Sequence, residues 1–162
     1  MHNISLRTAT LLDIPILYEF EQGIITAERP FDPTLKSGRI NYYDIKDMIQ
    51  SNDTEVVVAL FENEIIGSGY LQIRQPKSYF NFDNYGYIGF IFVKPNFRGN
   101  AVSQKIIDTL LIWGQTKNVR EFRLQVYNDN LSAIKSYEKC GFKKHMIEMR
   151  MELKINEDSK KL

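Results

Sequence analysis

A short basic loop between an apolar run and a helical pattern is the feature that most constrains this chain. The apolar run at residues 87–93 stops before Pro95, the loop contains Arg98 and Gly99, and apolar residues recur at helical spacing from Val102 onward. A strand, a tight loop and a helix N-terminus in this order place unpaired backbone N–H groups at the positive end of a helix dipole. Small loop residues let a phosphate approach those N–H groups closely. The loop therefore predicts an anion site.

Two well-known phosphate loops do not match this segment. The P-loop ends in Gly-Lys-Ser/Thr, and no lysine stands beside a serine or threonine in this loop. The dinucleotide fingerprint needs three glycines and a later acidic residue, whereas this loop has one glycine and the acidic residue is missing. By itself the loop is explained almost as well by a plain strand-to-helix connection punctuated by proline and glycine.

A second segment, about thirty residues further on, changes this balance. The strand-like residues 121–126 are followed by Asn128, Asp129 and Asn130, and then by a helical pattern that ends at Gly141. Asn130 is a good N-cap and Gly141 is a good residue just beyond a helix C-terminus. Taken alone, the segment predicts a capped surface helix with one buried tyrosine, Tyr137.

Together, the loop and the helix resemble the GNAT superfamily of N-acetyltransferases. The family pattern Asn-x-x-Ala-x-x-x-Tyr-x-x-x-Gly-Phe is matched at Asn130, Ala133, Tyr137, Gly141 and Phe142. Residues 6–14 also look like the family's opening strand and first helix, and Thr10 with Asp13 forms a capping-box-like start to that helix. The resemblance covers nearly the whole chain and is most specific in the C-terminal half.

The loop departs from the family pattern at one position. The middle glycine of the family is Ala101 here, and the last small residue is Ser103. Among the residues that could replace this glycine, alanine obstructs a ligand least. We also expect Ala101 to have helical backbone angles already. We expect the site to survive this substitution.

The resemblance implies an α/β (α+β) fold. We expect a central mixed, mostly antiparallel twisted sheet of six to seven strands, flanked by about four helices and splayed between the fourth and fifth strands. Residues 1–154 are expected to form one N-acetyltransferase domain, and residues 155–162 a charged C-terminal tail. The predicted strands are residues 3–9, 55–61, 64–73, 85–93, 121–126 and 144–153, and the predicted helices are residues 11–25, 42–50, 101–114 and 130–140.

The composition and charge of the chain indicate which classes of binding partner to expect. The 162 residues are 43% hydrophobic and 25% charged, which is ordinary for a globular protein, and the net charge of +1 suggests no nucleic-acid partner. Low net charge leaves a homodimer open. Cys140 is the only cysteine and the two histidines have no partners at ligand spacing, so we expect a reducing cytoplasm and no metal. No signal peptide or membrane span is indicated.

The family resemblance also implies a reaction. The donor is acetyl-CoA and the acceptor is an amine of a small molecule, peptide or protein. The pyrophosphate would lie on loop amides, and the pantetheine arm would pair with the backbone of Ile91 and Val93.

Tyr137 would give a hydrogen bond or proton to the leaving thiolate, a general-acid role; a core tyrosine is the alternative. For Asn130, helix capping explains the residue as well as cofactor contact does. The implied cofactor-binding residues are Ile91, Phe92, Val93, Arg98, Gly99, Asn100, Ala101, Val102, Ser103, Gln104, Asn130 and Tyr137.

The general base is the least determined part of the site. An alkylammonium has a pKa of about 10 and must lose a proton before it attacks. Many relatives place an acid on the strand before the loop, but residues 87–92 contain none. Glu28 and Asp83 are the candidates, and Glu28 is preferred slightly; a water chain explains proton removal equally well. Aromatic residues in the two irregular loops indicate an acceptor pocket, or plain packing.

Two other functions compete with acyl transfer. One is a non-catalytic acyl-CoA-binding or regulatory module with a degenerate phosphate loop, favoured by Ala101 and by the missing strand acid. The other is a nucleotide-binding protein that uses the same loop for ATP or NAD. The three hypotheses differ in their preferred ligand and in whether an amine releases coenzyme A.

Overall fold

The computed structural model describes residues 3–153 and contains one sheet with helices on both faces. The predicted tail, residues 155–162, lies outside the described residues. Two single-turn 3-10 helices, Leu11–Asp13 and Pro95–Phe97, each lie just before an α-helix. The strands are β1 (Ile4–Thr8), β2 (Thr54–Phe61), β3 (Glu64–Arg74), β4 (Tyr85–Val93) and β5 (Phe122–Arg123), and the helices are α1 (Ile14–Glu28), α2 (Ile45–Gln50), α3 (Val102–Thr116) and α4 (Leu131–Lys139).

The strands lie in the spatial order β1-β2-β3-β4-β5. The first three pairings are antiparallel and the last is parallel. The β4–β5 pairing has only two matched positions, Gly86 with Phe122 and Tyr87 with Arg123. Beyond these positions the two strands form no ladder among residues 3–153, so the predicted mixed sheet and its opening between the fourth and fifth strands are confirmed.

A β-bulge bends β4 close to this opening. Ser68 pairs with Phe92 but Tyr70 pairs with Gly89, so β4 carries one extra residue opposite β3. Phe90 accommodates it with a φ of 57°, in the left-handed region. The Ser68 hydroxyl donates a hydrogen bond of 3.2 Å to the Phe90 carbonyl oxygen. The bulge is therefore fixed by a buried polar contact, and it changes the direction of β4 where its β5 partner ends.

The core has two halves, one on each face of the sheet. On one face, Leu17 and Phe20 of α1 and Ile45 of α2 pack on the sheet. On the other, Ile106 and Leu110 of α3 do so. These side chains are essentially fully buried. Each helix turns one apolar stripe inward, as the periodicity of the sequence predicts.

The start of α1 follows its sequence closely. Asp13 accepts a hydrogen bond of 2.7 Å from the Thr10 backbone N–H, and the Arg7 guanidinium binds both carboxylate oxygens at 2.7 and 2.9 Å. The hydrogen bonds from Arg7, with smaller contributions from Thr10, lower the pKa of Asp13 to about 2, against the cost of burial. The strand-end arginine and the capping aspartate thus fix the entry of the first helix.

Two predicted strands differ from the structure. Residues 144–153 form no strand, although their apolar alternation predicts one, and the described part of the chain therefore has five strands rather than six or seven. The predicted strand over residues 121–126 is reduced to Phe122–Arg123. Both differences have the same cause, because a strand is defined by its hydrogen-bonded neighbour. After Arg123 the fifth strand diverges from β4, and residues 144–153 have no neighbouring strand among residues 3–153.

Candidate active site

The loop before α3 carries a run of free backbone donors. The N–H groups of residues 99–104 donate no hydrogen bond to any residue in the described part of the chain, whereas Phe97 and Arg98 donate to Lys94 and Pro95. Gly99 has a φ of 81°, and a Cβ there would meet open space, with nothing within 4 Å. Six consecutive free donors at a helix N-terminus are the kind of arrangement that binds anions in proteins.

Ala101 has a different conformation from the one predicted. It is the N-cap of α3 with φ 57° and ψ 20°, which is left-handed rather than right-handed helical backbone. This conformation costs an L-residue about 1 kcal/mol or more because its Cβ crowds the following carbonyl, whereas glycine adopts it freely. The structure therefore explains why a glycine suits this position, and it shows that Ala101 holds the loop under strain.

Arg98 and Ser103 flank the free donors and have partners of their own. The Arg98 Nε donates 3.1 Å to the Val93 carbonyl oxygen, which closes the loop onto the end of β4. The Ser103 hydroxyl lies 3.2 Å from the Ser136 hydroxyl of α4. This contact joins α3 to α4, the helix that carries Tyr137. Of the remaining predicted loop residues, Asn100 binds the Phe97 and Arg98 carbonyls, Val102 is buried in the core, and Gln104 is exposed.

The side chains of the strand residues predicted to hold the cofactor pack against other parts of the protein. The Phe92 ring stacks on Phe20 of α1 with centroids 4.6 Å apart. Ile91 and Val93 pack toward the α3 face. On the β5 side, β4 has no ladder partner beyond Tyr87 among residues 3–153. This arrangement leaves that edge of β4 available to an extended, amide-bearing group.

Tyr137 lies on α4, and most of its side chain is shielded from solvent. Its ring makes an edge contact with Phe142, with centroids 6.5 Å apart. Its hydroxyl has no hydrogen-bond partner among the described residues. Burial, followed by the negative charge of Glu28, raises the pKa of Tyr137 to about 12. The phenol therefore keeps its proton at neutral pH and is free to donate it. Asn130, seven residues earlier, caps α4 by accepting 3.2 Å from the Ala133 N–H.

Glu28 ends α1 and faces a group of tyrosines. Burial raises the pKa of Glu28, and a contribution from the Tyr42 hydroxyl opposes the rise. That hydroxyl is buried close to the carboxylate but forms no hydrogen bond of good geometry with a described residue. The Glu28 charge also contributes to the raised pKa values of Tyr43, Tyr87, Tyr127 and Tyr137. The structure therefore brings Glu28 and Tyr137, which are far apart in sequence, into one electrostatic neighbourhood.

Glu21, which the sequence analysis did not single out, positions this tyrosine group. It lies two helical turns before Glu28 on α1 and is fully buried. One carboxylate oxygen accepts hydrogen bonds of 2.7 and 2.8 Å from the backbone N–H groups of Tyr42 and Tyr43. The i, i+7 spacing of two glutamates on one helix face was a usable sequence feature.

Tyr87 and Gln125 span the opening of the sheet and were also missed. The Tyr87 hydroxyl donates 3.1 Å to the Gln125 amide oxygen, across the point where β4 and β5 diverge. The Arg74 guanidinium stacks over the Tyr87 ring at 3.8 Å. No sequence motif marks these residues, because their proximity depends on where the two strands separate.

Other candidates are not part of this arrangement. Asp83 is exposed in the loop before β4 and makes no hydrogen bond among the described residues. Burial raises the pKa of the Cys140 thiol, which disfavours a nucleophilic thiolate.

Among residues 3–153, no group of three His, Cys, Asp or Glu side chains is arranged to hold a metal, and no helix is long and apolar enough to cross a membrane.

The sequence model of the acetyltransferase (GNAT) family matches residues 21–142, three quarters of the chain. This chain belongs to the GNAT family. The match includes the second half of α1 with Glu28, the loop before α3 and α4 with Tyr137, so the predicted family membership is confirmed. No curated protein sequence is detectably similar to this GNAT protein.

Solved structures agree with the fold. A tetramutant of the BH1408 protein from Bacillus halodurans superposes with a TM-score of 0.81 at 19% identity, over 92% of this chain and 99% of that one. A predicted acetyltransferase from Clostridium acetobutylicum with acetyl-CoA gives 0.71 at 20% identity, over 93% and 96%. Glucosamine-6-phosphate N-acetyltransferase from Arabidopsis thaliana gives 0.68 at 18%, over 94% and 99%. At these identities the similarity establishes the fold alone.

Proposed function

We propose that this GNAT protein is an N-acyltransferase that moves an acetyl group from acetyl-CoA to an amine. The observation that carries the proposal is the combination of six free loop donors with a protonated tyrosine on the adjoining helix. The acetyl-CoA bound to the Clostridium acetobutylicum structure, which shares the fold, supports the same donor here.

The donor would lie along the opening of the sheet. The free N–H groups of residues 99–104 would take the pyrophosphate, with the Arg98 guanidinium beside them. The pantetheine amides would pair with the unpartnered edge of β4 near Ile91 and Val93. Since Arg98 already occupies one acceptor position of the Val93 carbonyl, that carbonyl has one lone pair left for the arm. Asn130 remains fixed as a helix cap and would contact the cofactor through its free amide N–H groups.

The acyl transfer would proceed by direct attack. The amine nitrogen forms a bond to the thioester carbonyl carbon, and the carbon–sulfur bond then breaks. A backbone N–H near Phe92 would stabilise the oxyanion. Tyr137 would donate its hydroxyl proton, or a hydrogen bond, to the departing sulfur. The pKa of about 12 keeps this donor intact throughout the physiological range.

Glu28 would serve as the general base. Burial raises the pKa of the Glu28 carboxylate and so brings it closer to the pKa of the ammonium group whose proton it must accept. A smaller difference between the two pKa values favours proton transfer. The surrounding tyrosine rings would hold the acceptor ammonium by cation–π contact before it loses its proton. A water between Glu28 and the amine would relay the proton equally well, and both routes make the rate depend on Glu28.

The test is amine-dependent release of coenzyme A. The purified chain is incubated with acetyl-CoA and a panel of small amines and peptides, and free thiol is measured against an amine-free sample. Thiol release that requires an amine, with an N-acetylated product of matching mass, supports the proposal. Tight binding of acetyl-CoA without turnover on any amine would instead favour the non-catalytic acyl-CoA-binding module, which the strained Ala101 makes a physical alternative.

A further inference from the structure

An arginine at the end of β3 has no carboxylate partner. The Arg74 guanidinium stacks over the Tyr87 ring, with 3.8 Å between the guanidinium carbon and the ring centroid, and its Nε donates 2.9 Å to the Gln72 amide oxygen. Among residues 3–153 it forms no ion pair. A guanidinium has five N–H donors in a fork that matches a carboxylate, so Arg74 keeps several donors and its full charge for a ligand.

The sheet places Arg74 where the opening begins. Arg74 pairs with Tyr85 in the β3–β4 ladder, and Tyr87 is the last residue of β4 that pairs with β5. Tyr70 and Tyr87 pack on the face of the sheet that α1 and α2 cover. Arg74 lies four residues after Tyr70 on the same strand and therefore points to the same face. This is the face over which α1 carries Glu28.

A row of three tyrosine rings, Tyr43, Tyr70 and Tyr87, connects Arg74 with Glu28. The ring centroids of Tyr87 and Tyr70 are 6.4 Å apart, and those of Tyr70 and Tyr43 are 5.6 Å apart. Burial raises the pKa of Tyr87, the charge of Arg74 lowers it, and the charge of Glu28 raises it. The two opposite charges therefore act on the same ring, which is a separation that a small molecule with two charged ends can span.

The charged side chains beside this row are already engaged. Glu121 binds Arg123 at 3.2 Å, and Arg123 is paired with Tyr87 in the β4–β5 ladder. The Arg29 guanidinium, next to Glu28 in sequence, donates to two backbone carbonyl oxygens of the loop after α1. Within residues 3–153, the tyrosine row is thus bordered by one carboxylate and one guanidinium that have no charged partner.

We propose that the acceptor amine carries a carboxylate on the same small molecule, and that Arg74 binds this carboxylate while Glu28 receives the ammonium. The acceptor would then be an amino acid, with its apolar part against the tyrosine rings. Arg74 would determine specificity, because it touches the substrate away from the reacting nitrogen. This inference rests on the proposed acyl transfer and names the class of its acceptor.

Charge favours a carboxylate over the other groups that an acceptor could carry. One guanidinium neutralises the single charge of a carboxylate, whereas a phosphate monoester carries nearly two charges at neutral pH. A second ammonium would be repelled by Arg74, which disfavours diamines. An uncharged substituent would leave the guanidinium without a partner and lose the charge-assisted hydrogen bonds.

The first experiment compares acceptors that differ by one carboxylate. The pairs are phenylalanine with phenethylamine, tyrosine with tyramine, and γ-aminobutyrate with propylamine; phosphoethanolamine with ethanolamine tests a phosphate instead. Release of coenzyme A from acetyl-CoA is measured with each. We expect kcat/KM to be roughly tenfold or more higher for the carboxylate member of at least one pair, mainly through KM. Equal rates within every carboxylate pair, or a gain only with the phosphate, would overturn the inference.

Variants then assign the preference to one side chain. Arg74→Met keeps an unbranched chain over the Tyr87 ring but removes the charge, and it should abolish the preference while leaving the rate with the plain amine unchanged. Arg74→Lys should recover only part of the preference, since lysine has the charge without the planar fork. Arg120→Met, at an exposed position, is the matched control and should keep the preference. An equal loss with both members of each pair in Arg74→Met would indicate a structural role and contradict the assignment.

The second experiment needs no turnover and so separates this inference from the proposed function. The same amino acids and amines are titrated calorimetrically into the protein saturated with coenzyme A. An amino acid that binds tightly to the parent protein and roughly tenfold more weakly to Arg74→Met, without ever being acetylated, would support the Arg74 site and contradict acyl transfer. Plain amines that are acetylated while no amino acid binds through Arg74 would support acyl transfer and overturn the inference. Absence of both binding and turnover with every amino acid would also overturn it.

Discussion

At the scale of single residues, the site combines a strained backbone with shielded titratable side chains. Ala101 adopts left-handed angles that favour glycine, and Tyr137 and Glu28 both have raised pKa values because burial disfavours their charged forms. For Tyr137 this keeps a donor protonated, and for Glu28 it makes a carboxylate more basic. Each of these three features leads to a separate prediction.

Replacing Ala101 by glycine should stabilise the protein. Ala101→Gly relieves the left-handed strain, and after the entropy cost of glycine the unfolding free energy should rise by about 0.5–1 kcal/mol. This is measured by urea unfolding. Ala27→Gly is the matched control: Ala27 lies exposed within α1, where glycine should lower the unfolding free energy by about 1 kcal/mol. Equal losses in both variants would contradict the conformation assigned to Ala101.

Replacing Tyr137 by phenylalanine should lower kcat and leave coenzyme A affinity nearly unchanged. General-acid catalysis contributes about a hundredfold or more, although a thiolate leaves readily and the loss is expected to be nearer tenfold. Because the pKa of Tyr137 is about 12, the loss should be the same from pH 7 to pH 10. Tyr79→Phe, in an exposed loop, is the control. Unchanged turnover in Tyr137→Phe would remove this hydroxyl from the mechanism.

Replacing Glu28 by glutamine should remove the acid limb of the kcat/KM profile. A carboxylate acts as a base only above its pKa, and burial raises that pKa, so the wild-type limb should lie above the ordinary value of about 4.3. Glu28→Gln is expected to lower kcat/KM at neutral pH by roughly a hundredfold. Glu19→Gln, exposed on the same helix, should leave the profile in place. A variant that keeps the wild-type limb would assign the base elsewhere.

At the scale of secondary-structure elements, the proposed function depends on how helices meet the sheet. The N-terminus of α3 provides the free donors, and α4 is joined to it through the two hydroxyls of Ser103 and Ser136. On the opposite face, Glu21 of α1 holds the backbone of the tyrosine segment. The donor and acceptor sides of the proposed site are thus positioned by different helices, and the opening between β4 and β5 lies between them.

A negative charge at the start of α3 should abolish coenzyme A binding without unfolding the protein. Ser103→Glu places a carboxylate in the first helical turn, where the dipole stabilises it while it repels a phosphate. Ser103→Gln is the matched control, because it loses the same hydroxyl contact without the charge. Calorimetric titration with coenzyme A should show loss of binding in the first variant only. Normal affinity in Ser103→Glu would place the phosphate site elsewhere.

At the scale of the whole molecule, a ligand in the opening would connect two parts of the sheet that few hydrogen bonds join. The β4–β5 ladder is two positions long, so much of the link between the β5–α4 unit and the remaining sheet depends on side-chain packing. A ligand that binds only the folded state stabilises it in proportion to the logarithm of its concentration. Thermal unfolding therefore reports on the site as a whole.

Acetyl-CoA should raise Tm more than ATP or NAD does. At a hundredfold excess over Kd the stabilisation is about 2.7 kcal/mol, which corresponds to roughly 5–10 °C for a chain of this size. Coenzyme A should act similarly, because the loop donors recognise its phosphates. The measurement is a thermal-shift series with the four ligands at equal concentration. A larger shift with ATP or NAD would support the nucleotide-binding alternative over acyl transfer.

Several features were predictable because their cause lies in neighbouring residues. The caps at Asp13 and Asn130, the strand–loop–helix order around Gly99 and the apolar stripe of α3 follow from local patterns, and the structure contains each of them. Family motifs located Tyr137 on its helix. Glu28 was preferred only slightly, since no local pattern distinguishes a surface carboxylate from one that burial has made more basic.

What the sequence could not determine depends on contacts between distant segments. The proximity of Glu28 to Tyr137, the Tyr87–Gln125 hydrogen bond and the left-handed angles of Ala101 arise only when the sheet and its helices pack together. The same holds for residues 144–153, whose alternation predicts a strand while the described residues provide no neighbour for it. The sequence by itself determined which segments can form helices, strands and an anion-binding loop, because these depend on side-chain periodicity and local hydrogen bonds. Only the tertiary structure decided which edges remain open and which titratable groups share a buried environment, because both depend on what lies beside each element.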